Sequence, residues 1–276
     1  MSVAAIDAAH YTCLRTRAPL PVDADLIKEP WRKAVRSPRF VDMVTGEPGC
    51  FDTRAAALWD DHALHVAFWV DEPFVEAALT ERDSLVFNEN DVEIFIDGGD
   101  CYYEFEINAL GTVYEVFFIW KDAYQRGGRF DVPEFDLMNA LTFGGNYDRI
   151  GATFWRGTHP RGCRWAFLDW DFPGMRSAVQ VDGKINDRSV VDKGWFAEIA
   201  LPWAGMGELA NGRALPPKNG DVWRMCFSRF EKLTPSGVEI QPHPAWCWNP
   251  HGVYDTHLPE RWTHVHFSDS YVDDIL

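Results

Sequence analysis

The chain has 276 residues, of which 46% are hydrophobic and 25% are charged, and its formal net charge is −16. This is an ordinary globular mixture, and the length suffices for one large core. The acidic balance argues against nucleic acid or an anionic membrane as a partner, because no basic stripe could neutralise phosphates. No run of 18 apolar residues is present to span a bilayer.

The start of the chain and the cysteines bear on the cellular compartment. Residues 1–10 lack a cationic start followed by an apolar core, so no secretory signal is visible. The six cysteines are scattered and never form Cys-x-x-Cys, which is typical of isolated thiols in a reducing compartment. We therefore expect a cytoplasmic protein, and the sequence leaves its oligomeric state open.

In chain order, residues 1–20 show little pattern and are interpreted as an extended lead-in. Alternating apolar residues then predict a strand from Leu64 to Val70. Two further alternating runs, separated by Gly98-Gly99-Asp100, predict a β-hairpin over 87–108.

The two faces of this hairpin differ in character. One face is apolar, and the other carries Asp91, Glu93, Phe95, Asp97, Tyr102, Glu104, Glu106 and Asn108. A longer turn places Glu93 opposite Glu106, and a shorter one places it opposite Glu104. Either register brings two glutamates together, which is destabilising unless an arginine, a cation, a shared proton or a polar ligand compensates. The alternative is a solvated face whose side chains splay apart.

Regular patterns weaken over 121–179, which we interpret as a loop-rich insertion. Strand patterns return at 195–201, 222–230 and 263–267, and residues 269–276 are interpreted as a tail. Many short strands with turn signals and few helices predict a two-sheet antiparallel β-sandwich, formed by 1–276 as a single domain.

The order of several motifs resembles that of the family 9 carbohydrate-binding modules, within the wider DOMON-like superfamily. The resemblance covers roughly 22–267. The matching motifs are Trp59-Asp60-Asp61, the runs 90–97 and 102–108, Gly194-Trp-Phe-Ala-Glu-Ile-Ala-Leu-Pro202, Gly220-Asp-Val-Trp-Arg224 and Trp248-Asn-Pro250.

This resemblance implies a β-sandwich that binds a carbohydrate between two aromatic side chains. The first aromatic residue of the family pattern lies six residues before a strand glutamate, which corresponds to Phe87 before Glu93. The second corresponds to Trp248, with Trp246 as the next choice. The resemblance also makes a structural calcium ion possible, although no clean run of oxygen ligands is visible.

Sugar recognition needs an aromatic platform and planar polar groups that bridge hydroxyls. Arg224 and Arg229 are five residues apart on one predicted strand, so only one can reach the acidic face, and we favour Arg224. A buried Arg229 would need a carboxylate partner. The candidate ligand-binding residues are Phe87, Glu93, Asn108, Trp120, Arg224, Arg229, Trp246 and Trp248.

Two other functional classes use overlapping residues or none of them. A glycoside hydrolase or lyase could use Glu93 with Glu104 or Glu106 as paired carboxylates. A structural or interaction module would have no pocket. His243, His251 and His257 cluster near the end of the chain, but their spacing matches no zinc motif.

Overall fold

A computed structural model describes residues 7–144 and 159–275. These residues form fourteen strands, two short α-helices and several single 3₁₀ turns. The helices are α1 (Glu29–Lys33) and α2 (Gly207–Ala210). The strands are β1 (His10–Arg15), β2 (Val41–Asp42), β3 (Thr53–Trp59), β4 (Ala63–Asp71), β5 (Asp91–Asp97), β6 (Cys101–Asn108), β7 (Val113–Trp120), β8 (Leu141–Phe143), β9 (Arg164–Phe167), β10 (Arg176–Asp182), β11 (Gly194–Pro202), β12 (Val222–Phe230), β13 (Ala245–Cys247) and β14 (Thr263–Tyr271).

The strands are joined edge to edge in one open path that folds back on itself. The order is β10-β11-β4-β3-β1-β14-β12-β5-β6-β7-β9-β8, and β13 links β12 to β2. Phe68 on β4 and Phe227 on β12 are four neighbours apart along this path, yet their ring centroids are 6.3 Å apart. The two halves therefore pack face to face around one core, and the predicted β-sandwich is confirmed.

The β5–β6 hairpin has the longer-turn register. Glu93 lies opposite Glu106, and Asp97 lies opposite Tyr102. The apolar face of the hairpin points into the core between the layers, with Ile94 opposite Phe105. On its other side, β5 pairs with β12, so that Ser228 lies opposite Glu93.

Both outer faces of the sandwich are covered by other parts of the chain. On the first layer, Trp31 of α1 is buried against Trp69 of β4. On the second layer, the segment before β14 places Trp262 and His257 against Phe95 of β5. A solvated outer face was one alternative for the acidic side of the hairpin, and this covering segment excludes it.

Both ends of the chain contribute more than expected. Residues 10–15, within the predicted lead-in, form β1, which lies between β3 and β14 and is parallel to both. The predicted tail begins inside β14, and Val272 is buried in the cluster that contains Trp31. The predicted insertion contains β8, β9 and the start of β10, and residues 145–158 within it lie outside the described residues.

Two further observations concern the compartment and membrane expectations. All six cysteines lie within the described residues, and none of them is in a disulfide. Within those same residues, no helix has both the length and the apolar character needed to cross a lipid bilayer.

Candidate functional site

The acidic face is the outward side of the β5–β6 hairpin, and it consists of Asp91, Glu93, Glu104 and Glu106. Each of these side chains is buried, and the most accessible of them is 5% exposed. Each strand of the hairpin contributes two of these carboxylates. Because side chains alternate along a strand and the apolar ones are fixed in the core, the carboxylates lie on the side that faces away from it. Like-charged groups are thus concentrated in a region with little water.

Burial dominates the electrostatics of this face. It raises the pKa of Glu93 to about 8, and the Ser228 hydroxyl, which donates to Glu93 Oε2 over 2.6 Å, offsets part of that rise. Burial and the neighbouring carboxylates raise the pKa of Asp91, Glu104 and Glu106 well above the ordinary range. The face therefore favours bound protons or a bound cation.

The nearest basic side chain does not supply that charge. His257 Nε2 lies 3.7 Å from Glu104 Oε1, but burial lowers the pKa of this histidine well below its ordinary value. Its Nδ1 pairs with the Tyr102 hydroxyl at 3.1 Å. Among the described residues, no Lys or Arg forms a salt bridge with any of the four carboxylates.

Three of the carboxylates are close enough to share one ion. Asp91, Glu93 and Glu106 each offer an oxygen, and these oxygens lie within 4.8 Å of one another. Asp91 Oδ1 accepts a hydrogen bond from the Phe230 backbone N–H, whereas Asp91 Oδ2 and Glu106 Oε2 are buried without a partner. Most buried polar atoms in proteins do have partners, so these two oxygens need an explanation.

The structure separates the other predicted site residues. Phe87 is 39% exposed at the rim of the acidic face, where its ring meets Tyr114 edge-on. The Asn108 side chain is fully buried, and its Nδ2 donates hydrogen bonds to the Leu79 carbonyl and to Glu89 Oε1. The Trp120 ring is covered by the guanidinium of Arg164, at 4.4 Å.

The two arginines point to opposite faces of β12, as the sequence predicts. Arg224 lies on the acidic side but at its far end, where Nη2 is 2.6 Å from Asp97 Oδ2. Arg229 is buried between the layers, with Nη2 at 2.5 Å from Glu231 Oε2 and 3.3 Å from Glu72 Oε2. A buried Arg229 requires a carboxylate partner, and the structure provides two, Glu72 and Glu231.

Neither tryptophan expected to stack on a sugar offers an open ring. Trp248 is 6% exposed and packs between Tyr11 and Phe227. Trp246 is buried above Gly49, where an added Cβ would lie 2.8 Å from its ring. Both point inward with Phe227, so an exposed platform at these positions does not match the structure.

A cavity of about 460 Å³, here called the end pocket, opens where β4 and β12 end and β3 and β5 begin. That volume is within the usual range of roughly 300–1,000 Å³ for small-molecule sites. Its walls combine rings, carboxylates, an amide and apolar side chains. Its lining includes Phe51, Phe74, Glu72, Asn90 and Glu231.

The polar wall of the end pocket is a fixed network. Glu72 accepts from Asn90 Nδ2 over 2.6 Å and from Trp195 Nε1 over 2.8 Å. Glu231 Oε2 takes both guanidinium contacts from Arg229, and none of the hydrogen bonds among the described residues uses Glu231 Oε1. Phe74 is 41% exposed and presents its ring at the pocket. The carboxylates and the amide of this wall are therefore held in place by hydrogen bonds within the protein.

Burial raises the pKa of Glu231 from its ordinary 4.5 to about 7, although Arg229 opposes the rise. The folded carboxyl then keeps its proton in a pH range where the unfolded one releases it. We expect Glu231 to contribute a fall in unfolding free energy of about 2 kcal/mol as pH rises from 4.5 to 7. Denaturant unfolding of wild type and Glu231→Gln across this range measures it. Parallel pH curves for the two proteins would contradict the assignment.

The end pocket was missed by sequence reasoning for a specific reason. Phe51, Phe74, Asn90 and Glu231 come from four separated segments, and only the topology of the sheet brings them together. One signal was available: Glu231 follows Arg229 by two residues, so in an extended strand both point to the same side.

The predicted histidine cluster is also separated. His243 pairs with Glu239, and His251 Nδ1 bonds to the Asp255 carbonyl oxygen. His257 faces the acidic face, as described above.

No family model matches this chain, and no curated protein sequence matches it. Solved structures with a similar fold include a proposed carbohydrate-binding protein from Bacteroides uniformis ATCC 8492, with a TM-score of 0.59 and 13% identity over 95% of this chain and 100% of that one. Another is a family 9 carbohydrate-binding module from Caldicellulosiruptor kristjanssonii in complex with cellotriose, with a TM-score of 0.50 and 11% identity over 96% of this chain and 97% of that one. At these identities the similarity shows the fold, and the wider DOMON-like assignment stays a prediction.

Proposed function

We propose that this protein binds a mono- or oligosaccharide and that the sugar occupies the end pocket. The observation that carries the proposal is an open cavity in which exposed and half-buried aromatic rings lie beside fixed carboxylate and amide groups. Aromatic rings cover the apolar faces of a sugar ring, and carboxylates accept hydrogen bonds from its hydroxyls. The carbohydrate-binding structures that share the fold support the same class of ligand.

The acidic face fits a sugar less well than the end pocket does. Its carboxylates are at most 5% exposed, and the segment around Trp262 and His257 covers its neighbouring rings. Phe87 is the one predicted platform residue with substantial exposure, and it lies at the rim of that face. A sugar held there, as the sequence resemblance implies, is the alternative location.

Binding fits this geometry better than hydrolysis does. Glu93, Glu104 and Glu106 are at most 5% exposed, and Glu93 and Glu106 offer oxygens within 4.8 Å of each other, which leaves no room for a sugar between them. Glycoside hydrolases hold their two carboxyl groups about 5–9.5 Å apart, with the scissile bond between them. We expect the wild type to show no saccharide turnover. If Glu93 were catalytic, the wild type would show turnover and Glu93→Gln would abolish it.

The proposal is tested by titrating glucose, galactose, mannose, xylose and cellotriose by calorimetry into wild type and three variants. We expect Phe74→Ala and Glu231→Gln each to weaken binding about tenfold, from the lost ring contact and the lost charged acceptor. Phe87→Ala is the matched control, because Phe87 is an equally exposed ring away from the pocket.

Each outcome of this titration decides something. Wild-type affinity in Phe87→Ala with weakened binding in the other two supports the end pocket. Loss of binding in Phe87→Ala alone moves the site to the rim of the acidic face. If none of the five saccharides binds to the wild type, the proposed function is rejected.

A further inference from the structure

We infer that His10, His264 and His266, here called the histidine face, form a binding site for a divalent transition-metal ion that prefers imidazole ligands, such as zinc. This inference does not depend on the proposed sugar site, because none of the three residues lines the end pocket. The three also differ from the histidines of 243–257, which the structure separates.

The first reason is the way in which two neighbouring strands present these side chains. His264 and His266 are separated by one residue on β14, so both point to the outer side, while Val265 between them is buried in the core. His10 lies opposite His264 on the adjacent strand β1. Two histidines of one strand and one of its neighbour thus share a patch of rigid sheet, as a three-histidine metal site requires.

The second reason is the close approach of the rings. His10 Nδ1 lies 2.7 Å from His266 Nε2, and the centroid of the His10 ring is 4.9 Å from that of His264. Zinc binds histidine nitrogens at 2.0–2.1 Å, so two such nitrogens on a tetrahedral ion are about 3.3 Å apart. We expect the His10–His266 pair to open by about 0.6 Å around the ion and the His264 ring to turn toward it.

The third reason is an unsatisfied nitrogen in a neutral ring. His264 Nδ1 is buried without a hydrogen-bond partner, which is uncommon in folded proteins. Burial, with the neighbouring His10, Arg224 and His266, lowers the pKa of His264 below its ordinary value of 6.5. Its imidazole is therefore neutral at pH 7, which is the form that binds a metal ion.

The donor set and its surroundings select the kind of ion. Imidazole suits zinc, copper and nickel, whereas calcium and magnesium require oxygen ligands. Three protein ligands also leave a coordination position open for water. Arg224 lies opposite His264 on β12, but its Nη2 is 2.6 Å from Asp97 Oδ2, and this pairing offsets its repulsion of a cation. The ion can enter from solvent, because His10 is exposed.

The experiment uses the whole chain after removal of metal with a chelator. Zinc binding is measured by calorimetry at pH 7.5, and cobalt binding by the visible absorption bands of the bound ion. We expect one zinc ion per chain at the histidine face. Copper should bind there more tightly than zinc, in the order that nitrogen ligands impose on these metals.

Two variants and two controls locate the site. His264→Asn and His266→Asn should each weaken zinc binding at least tenfold. Both positions lie on the outer side of β14 and keep a polar side chain, so the variants should fold, which near-UV circular dichroism checks. His62→Asn changes an exposed histidine, and His243→Asn changes one that is paired with Glu239. Zinc affinity should stay at the wild-type value in both controls.

The inference is overturned if the metal-free wild type takes up neither zinc nor cobalt. Zinc binding that survives unchanged in both His264→Asn and His266→Asn would place the ion elsewhere and overturn the assignment of these residues. Sugar titration of the same variants separates the two proposals, because we expect their sugar affinity to stay at the wild-type value.

Discussion

Replacing Arg229 with methionine is expected to lower the free energy of unfolding by about 3–5 kcal/mol at pH 7.5. Arg229 is fully buried and holds two carboxylates, Glu72 and Glu231, which are themselves buried. It also donates to the Thr53 hydroxyl over 2.8 Å, so it ties β12 to the opposite layer. Methionine fills a similar volume but leaves both acids without a cation.

Urea unfolding of Arg229→Met measures this loss, and Arg188→Met is the matched control. Arg188 also forms a bidentate pair, with Glu76, but at the exposed rim of the end pocket. An exposed pair contributes at most about 1 kcal/mol, so the control should remain near wild type. The deficit of Arg229→Met should shrink as the pH is lowered to 5, because burial raises the pKa of both acids and protonation removes the unpaired charge. Equal small losses in both variants would contradict the role given to Arg229.

The second large effect is expected at Glu198, on the outer face of β11. This fully buried carboxylate accepts hydrogen bonds from the Asp23 and Ala24 backbone N–H groups and from Trp31 Nε1, and it pairs with Lys28. It therefore fixes the segment that carries α1 onto the first layer. Glu198→Ala should cost about 3–5 kcal/mol, because several buried donors lose their acceptor together.

Glu198→Gln serves as the partial rescue, because its amide oxygen can still accept from part of this set. Its loss of stability should be clearly smaller than that of Glu198→Ala. Glu29→Ala, an exposed acid on the same segment, should change stability by less than about 0.5 kcal/mol. Hydrogen exchange at residues 21–34 should accelerate in Glu198→Ala. Unchanged exchange there would contradict the anchoring role.

The hairpin at 87–108 shows what could be predicted from sequence. Its period-two alternation separated Ile94 and Phe105 from Glu93 and Glu106, because a slip of one residue would exchange the two faces. The choice between two registers stayed open, because the glycines at 98 and 99 permit turns of different length. In the structure Gly99 has a φ of 77°, the Gly98 N–H donates to the Cys101 carbonyl, and Asn211, more than 100 residues later, donates to the Gly98 carbonyl, a contact that the local pattern does not contain.

Other features depend on contacts between distant parts of the chain. Residues 10–15 have no pattern that announces a central strand, yet they pair with β14 more than 250 residues later, as in His10 with His264. The exposed platform expected at Trp246 and Trp248 is absent because both rings pack in the core, which also depends on distant contacts. Their aromatic character is compatible with either stacking or core packing, and only the face of β13 and the loop after it decides between them.

The location of the bound sugar tests the central claim most directly. Amide chemical shifts of the isotope-labelled protein should be followed during titration with the saccharide of the panel that binds most tightly. We expect the largest shifts at residues 72–76 and 231–236, around Phe74 and Glu231 in the end pocket. Shifts concentrated instead at 87–93 and 104–108, with the end pocket silent, would contradict this account.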